Sequence, residues 1–188
     1  MALFIDPNQR QFRARNDDGT ETTATWIAAV DTNWSQNTVT NFRVRITTQA
    51  DVGAGANSPI APTLYYSLNG GTSTQVTSSS NVVRLSPSSQ FADGAATTQQ
   101  LSGGLGLTYV AGSMQESSSG AVSRVMAAGL DISEDEWCVQ IQAADVANGD
   151  TITLQQKTGT AGVYATYTVT PSITVIKLSS SGLFFSLY

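Results

Sequence analysis

The sequence predicts an all-β fold: a β-sandwich, Ig-like or jelly-roll-like, with long loops and extended terminal arms. Three observations carry that expectation. Apolar and polar residues alternate at period two in several short runs, most clearly in Asn41-Phe42-Arg43-Val44-Arg45-Ile46-Thr47. Clusters of Gly, Asn, Asp and Ser recur at roughly the ten-residue spacing of short strands joined by turns. A sustained helical period is absent, apart from an ambiguous Val122–Leu130 that suits one helical turn or a strand.

In chain order, residues 1–9 read as an N-terminal arm, with apolar Leu3, Phe4 and Ile5 ahead of an Asp6-Pro7-Asn8 turn. Residues 10–178 form the sandwich domain, and 179–188 an apolar C-terminal tail behind a Ser/Gly linker. The seed of the core is expected to be a hairpin over Gln11–Trp34. Asn16-Asp17-Asp18-Gly19 supplies its turn, Thr22, Thr23 and Thr25 favour the extended return that Ala24–Val30 continues, and Trp26 plugs the space between the sheets. The run from Asn41 to Thr47 is expected to have one wet side, bearing Arg43, Arg45 and Thr47.

Asp51–Pro62 reads as loop, and Leu64–Leu68 as a strand that turns at Asn69-Gly70-Gly71 and returns over Thr72–Val76. Val82–Leu85 is a short extended run. Ser86–Gly120 is long and weakly patterned, with short strands expected at Thr97–Leu101 and Leu107–Val110; so long a connection suggests a functional or interfacial role. Trp137, Val139 and Ile141 alternate against Cys138, Gln140 and Gln142 as another half-buried strand. Asn148-Gly149-Asp150 is a turn, and Ile152 and Leu154 lie on the next strand. A hairpin through Thr158–Gly162 leads to one strand over Val163–Val169, and a final strand follows Pro171.

Composition narrows the function. Of 188 residues only 12% are charged, with net charge −5, and there is no His. The usual general base, triad base and commonest metal ligand are therefore missing. The single Cys138 cannot form an internal disulfide and reads as a small strand filler. Arg10, Arg13, Arg15, Arg43 and Arg45 are interleaved on strands rather than clustered, so no nucleic-acid partner is expected. No secretory leader and no apolar run of membrane length is visible; a soluble protein made in the cytoplasm is expected, with no membrane partner.

Carboxylates fall in two groups, Asp17/Asp18/Glu21 and Glu134/Asp135/Glu136. Either suits Ca²⁺ by oxygen ligation, but neither matches the spacing of a calcium loop, and solvated turns are the favoured reading. Gly103-Gly104-Leu105-Gly106 lacks the Lys of a phosphate loop, and the many Ser residues lack both a base and a Gly-x-Ser-x-Gly elbow. Tyr65, Tyr66, Tyr109, Tyr164 and Tyr167 suit either a sugar-stacking face or cross-strand packing. The expectation is no catalytic residues, no metal, no cofactor and no enzyme.

Phe12–Trp26 (FRARNDDGTETTATW) resembles β-rich virion-associated proteins of tailed bacteriophages and prophages. The resemblance extends to Tyr66–Gly71, Gln90–Thr98, Glu136-Trp137-Cys138 and Tyr167–Pro171, and so covers most of residues 10–175. It implies a virion structural role, a capsid decoration or auxiliary (cement) protein located on the virion after synthesis in the host cytoplasm, and it carries no catalytic residues across. The major capsid protein or other virion subunits are the implied partners, with homo-oligomers expected. Interface anchors are expected at Leu3, Phe4 and Ile5 and at Leu183, Phe184, Phe185, Leu187 and Tyr188, where apolar side chains are costly to leave in water. The alternative is a carbohydrate-binding or receptor-binding module of a tail fibre or surface appendage.

Overall fold

Extended chain accounts for nearly all regular structure in the computed structural model, which describes residues 6–51, 57–118, 120–158, 162–164 and 166–177. The strands are β1 (Asp6–Asn16), β2 (Trp34–Asn37), β3 (Asn41–Asp51), β4 (Asn57–Ile60), β5 (Pro62–Leu68), β6 (Thr74–Gln75), β7 (Val83–Leu85) and β8 (Thr108–Tyr109). They continue as β9 (Met114–Gln115), β10 (Arg124–Ala127), β11 (Asp131–Ile141), β12 (Thr151–Thr158), β13 (Gly162–Val163), β14 (Thr166–Tyr167) and β15 (Ser172–Ile176). Among the described residues one 3-10 turn, Ala143–Asp145, is the sole helical element.

The strands build two sheets and a ribbon. The first sheet runs β14-β1-β3-β11-β7, with β8 and β9 also paired to β11. The second runs β2-β15-β12-β5-β6, with β13 on β12, and β10 pairs with β4 as a two-stranded ribbon. This is the expected sandwich. Register explains its core. Phe12 lies opposite Ile46, Ala14 and Trp137 opposite Val44, and Val139 opposite Phe42, so one face of the first sheet is continuously apolar. Leu64, Tyr66, Ile152, Leu154, Ile173 and Val175 of the second sheet close on it in a single buried cluster.

Several elements differ from the sequence reading. The tryptophan between the sheets is Trp34, whose ring lies 6.3 Å from Phe12 and 6.0 Å from Phe42. Trp26 sits half-buried on the opposite face of β1, because its segment makes one bridge, Arg15 to Trp26, and no second strand. The Asn16–Gly19 turn still returns the chain along β1: Asn16 N–H donates to the Thr25 carbonyl and Ile27 N–H to the Ala14 carbonyl, both at 2.9 Å. Asp6, Pro7 and Asn8 are strand rather than turn, and β1 takes in residues 6–9 of the expected arm. The interface anchors Leu3, Phe4, Ile5, Leu183, Phe184, Phe185, Leu187 and Tyr188 lie outside the described residues.

The expected Val163–Val169 strand is divided between sheets: β13 stays on β12, while β14 crosses to run parallel with β1. Within the expected loop Asp51–Pro62, residues 57–60 form β4, and the ambiguous Val122–Leu130 supplies its partner β10. The Asn69-Gly70 turn is as expected, with both residues at positive φ, 50° and 71°, and Gly71 N–H donating to the Leu68 carbonyl. Of the strands expected in the long connection, Leu107–Val110 contains β8, whereas Thr97–Leu101 is not a strand.

Val39, between β2 and β3, has φ 54°, although a β-branched side chain there crowds the backbone. Its backbone is held by hydrogen bonds to the Ile141 carbonyl and from Gln140 Nε2, which a glycine would keep, while the side chain, 64% exposed, contributes little packing. Val39→Gly is therefore expected to raise the unfolding free energy by about 1 kcal/mol, because strain relief exceeds the added entropy of the unfolded chain. A thermal melt checks it; an unchanged or lower melting temperature would contradict the strain argument.

Candidate functional site

On the outer face of the first sheet, three strands each contribute charge at period two: Arg13 and Arg15 on β1, Arg43 and Arg45 on β3, Glu134 and Glu136 on β11. Arg15 lies opposite Arg43 and Arg13 opposite Arg45, a repulsive arrangement if left alone. Glu136 resolves it. Its Oε2 accepts from Arg45 Nε at 2.7 Å and Arg15 Nη1 at 3.2 Å, and its Oε1 accepts from Arg43 Nη1 at 3.1 Å. Glu134 pairs with Arg45 Nη1 at 3.0 Å, Asp17 lies 3.0 Å from Arg43 Nε, and Glu21 pairs with Arg45 Nη2.

Arg15, Arg43, Arg45, Glu134 and Glu136 are all buried. The expected wet side of β3 is therefore dry, and β11 is buried on both faces rather than one. Glu134-Asp135-Glu136 is mid-strand, not a solvated turn. Burying such charges is costly unless each is paired and hydrogen-bonded, and here the pairing is dense.

The long connection and the segment after β1 cover this layer. β7, β9 and β8 first fill the free edge of β11 piece by piece, which is why no long strand shows in the sequence there. The chain between them then folds over the charges. The Glu134 carboxylate accepts the backbone N–H groups of Gln100, Leu101 and Ser102 at 2.8–3.1 Å, and the Ser102 hydroxyl at 2.9 Å. Glu21 accepts Thr98 N–H at 3.0 Å and Gln100 Nε2 at 2.8 Å, while Arg45 Nη1 donates to the Thr98 carbonyl. Trp26 stacks on Arg13 and Arg15, 4.4 and 4.0 Å from ring centre to guanidinium, and Phe91 lies over Arg43 at 5.3 Å. Gly112 is required by close approach: a Cβ there would stand 2.0 Å from the Glu134 carbonyl oxygen.

Chemically the layer is a lock. Arg15, Arg43 and Arg45 are committed to carboxylates and turned away from any phosphate. The tyrosines do not gather into a face: Tyr65, Tyr66 and Tyr164 are buried and Tyr109 and Tyr167 half-buried. Tyr164 donates to or accepts from Thr48 Oγ1 at 2.9 Å, and burial pushes the Tyr109 hydroxyl up to about 12. Cys138 is buried on the covered face, where burial raises its thiol. Among the described residues, no three carboxylate or thiol groups are gathered so as to hold a metal ion.

The sequence identified these charges one strand at a time and missed their convergence. The available signal was Arg-x-Arg on two strands and Glu-x-Glu on a third, all at strand period. Fold and site together define a two-sheet all-β protein with a closed ionic layer. No protein-family model matches the chain, and no curated protein matches it in sequence.

Two outcomes test the lock. Glu136→Gln leaves three buried guanidiniums short of charge and is expected to cost about 3–5 kcal/mol in urea unfolding; a loss near zero would mean that the layer is not closed. The second concerns acid. Burial alone would raise the Glu21 carboxyl, but the Thr98 N–H and the Arg45 guanidinium hold it below its ordinary value. The Thr25 hydroxyl and N–H depress Asp18, and the N–H groups of Glu116 and Ser117 hold Asp93 down against its burial. Carboxyls held low contribute stability that is complete at neutral pH, above the unfolded value near ~4, and is lost as pH falls through the folded value. All three fasten cover segments, so below pH ~4 the amides of residues 98–102 should lose hydrogen-exchange protection before those of β12. Simultaneous loss would contradict a separately fastened cover.

Proposed function

We propose that this is a virion structural protein of a tailed phage, a capsid decoration or auxiliary protein that works by assembly on the particle surface and not by catalysis. One observation carries the reading. The charges on the outer face of the first sheet, Arg15, Arg43, Arg45, Glu134 and Glu136, are spent inside the molecule, while apolar side chains are left in water: Val39, Val122, Val125, Leu130 and Ile176. A subunit built to be covered by neighbours has that distribution. The sequence resemblance to phage virion-associated proteins points the same way, and the neutral polar composition suits a surface exposed on a particle. The partners in this reading are the major capsid protein or other virion subunits, together with further copies of the chain. Many weak contacts repeated over a particle add avidity that one contact lacks.

The carbohydrate-binding alternative loses its main support because three of its five tyrosines are buried. The experiment is incorporation. Full-length protein carrying Phe184→Ser and Phe185→Ser is expected to fold with an unchanged melting temperature and to be depleted at least tenfold from purified particles. Occupancy equal to wild type would overturn the apolar-anchor reading; a hit on a glycan array with intact protein would revive the alternative.

A further inference from the structure

A polar row divides the interior of the sandwich. On one side lies the main core, which reaches Ile46 on β3 and Leu154 on β12; on the other lies the small apolar cluster of Ala50, Ile60, Met126 and Tyr164. Between them, Gln9 of β1 and Ser133 of β11 both stand opposite Thr48 of β3. Residues opposite one another share a sheet face. This row faces inward, because the Thr48 hydroxyl donates across to Gln156 Oε1 of β12 at 2.7 Å. Gln9 crosses the same space: its Oε1 accepts the Gln156 N–H at 2.7 Å, and its Nε2 donates to the Val169 carbonyl at 3.0 Å. Gln9, Thr48, Ser133 and Gln156 are all fully buried.

Two polar atoms of the row are left over. Ser133 Oγ and Gln156 Nε2 have no hydrogen-bond partner among the described residues. Buried polar groups of this kind are costly unless satisfied. We propose that a water molecule is bound between the sheets at this point, joining Ser133 Oγ of β11 to Gln156 Nε2 of β12. The inference goes beyond the assembly reading and does not depend on it.

Donor and acceptor needs select the ligand. An amide nitrogen only donates, whereas a hydroxyl does either. Thr48 gives its proton to Gln156, so it accepts at its 2.9 Å contact with Tyr164, and the Tyr164 oxygen keeps acceptor capacity. The ligand must accept from Gln156 and finds acceptors for its own hydrogens on Ser133 and Tyr164, which is the pattern of water. Charge argues against an ion. The carboxylate two residues along, Asp135, is already matched by Arg124 Nη1 at 3.1 Å and by the Ser113 N–H at 2.9 Å, so a further buried charge would have no counterpart. Scale agrees. Ser133 and Thr48 stand with Cβ atoms about 4.5–5.5 Å apart, and Gln156 Nε2 belongs to the amide that Thr48 holds. Both leftover atoms therefore flank one hydroxyl, where a water with bonds of about 2.9 Å serves two partners. With it in place, Gln156 ties all three central strands of the first sheet to the second: β1 through its N–H, β3 through Oε1 and β11 through Nε2.

Crystals of the full-length chain that show ordered solvent decide the matter directly. A solvent peak at about 2.7–3.2 Å from both Ser133 Oγ and Gln156 Nε2 is expected; no peak there, or either atom paired with a protein group, overturns the proposal. In solution, oxygen-17 relaxation dispersion counts long-lived internal waters. Ser133→Val replaces the hydroxyl with methyl groups and is expected to lose one such water relative to wild type; equal counts overturn the proposal. Ser133→Ala supplies a sign test if the valine variant does not fold. With a water bound, the alanine variant removes one of its partners and melts lower; in a dry site it removes an unpaired hydroxyl, and an unchanged or raised melting temperature overturns the proposal.

Discussion

A single carboxylate, Glu136, holds together three guanidiniums that would otherwise repel one another across two strands. That contact fixes much of what surrounds it. With Arg15, Arg43 and Arg45 committed to Glu136 and its neighbours, the outer face of the first sheet is polar by sequence and dry by structure. A dry charged face has to be closed, because half-hydrated ion pairs of this kind lose Coulomb energy without regaining full solvation. The long connection between β7 and β10 does the closing. A well-packed apolar layer of equal volume would be about as stable. What charge adds is register. A slip of one residue in β3 would turn Arg43 and Arg45 into the core and Phe42, Val44 and Ile46 out of it, and Glu136 would face no partner.

The cover is ordered without being regular. Its backbone groups find partners in side chains of the sheet: three successive N–H groups on Glu134, and the Thr98 N–H and carbonyl on Glu21 and Arg45 respectively. A chain satisfied in this way needs no ladder of its own. The anion-binding concavity that successive N–H groups form is familiar from ligand sites; here the anion is an internal glutamate, and the loop is the part held. The same arrangement places fastenings whose carboxyls are held low, on Glu21, Asp18 and Asp93, at the edge of the layer.

Closure of the first sheet on both faces leaves, as open surface, the outer face of the second sheet, where β2 and β15 expose alternate residues, and the two ends of the sandwich. Val39 and Ile176 mark one, and the β4–β10 ribbon with Val125 and Leu130 marks the other. The faces resist unwanted pairing, because their edges are filled by short strands that offer little length to a foreign chain. The ends carry exposed apolar area and, at Val39, a left-handed backbone conformation on a branched residue.

Period-two alternation around Phe42, Val44, Ile46, Trp137, Val139 and Ile141 was enough to predict a sandwich, and Asn69-Gly70 its tightest turn, because side-chain direction along a strand and the φ of Asn and Gly are local properties. Whether Arg43 and Arg45 faced water was not local. It depended on Glu136, some ninety residues away, arriving in register, and on a connection without strand pattern folding over the top. For the same reason Trp26 looked like the plug and Trp34 proved to be it: both are bulky and both follow turns, and only the pairing of the sheets decided which ring met Phe12 and Phe42 and which lay under the arginines. Alternation along one strand reveals that a strand has two different faces; which of them is dry is decided by what the rest of the chain lays against it.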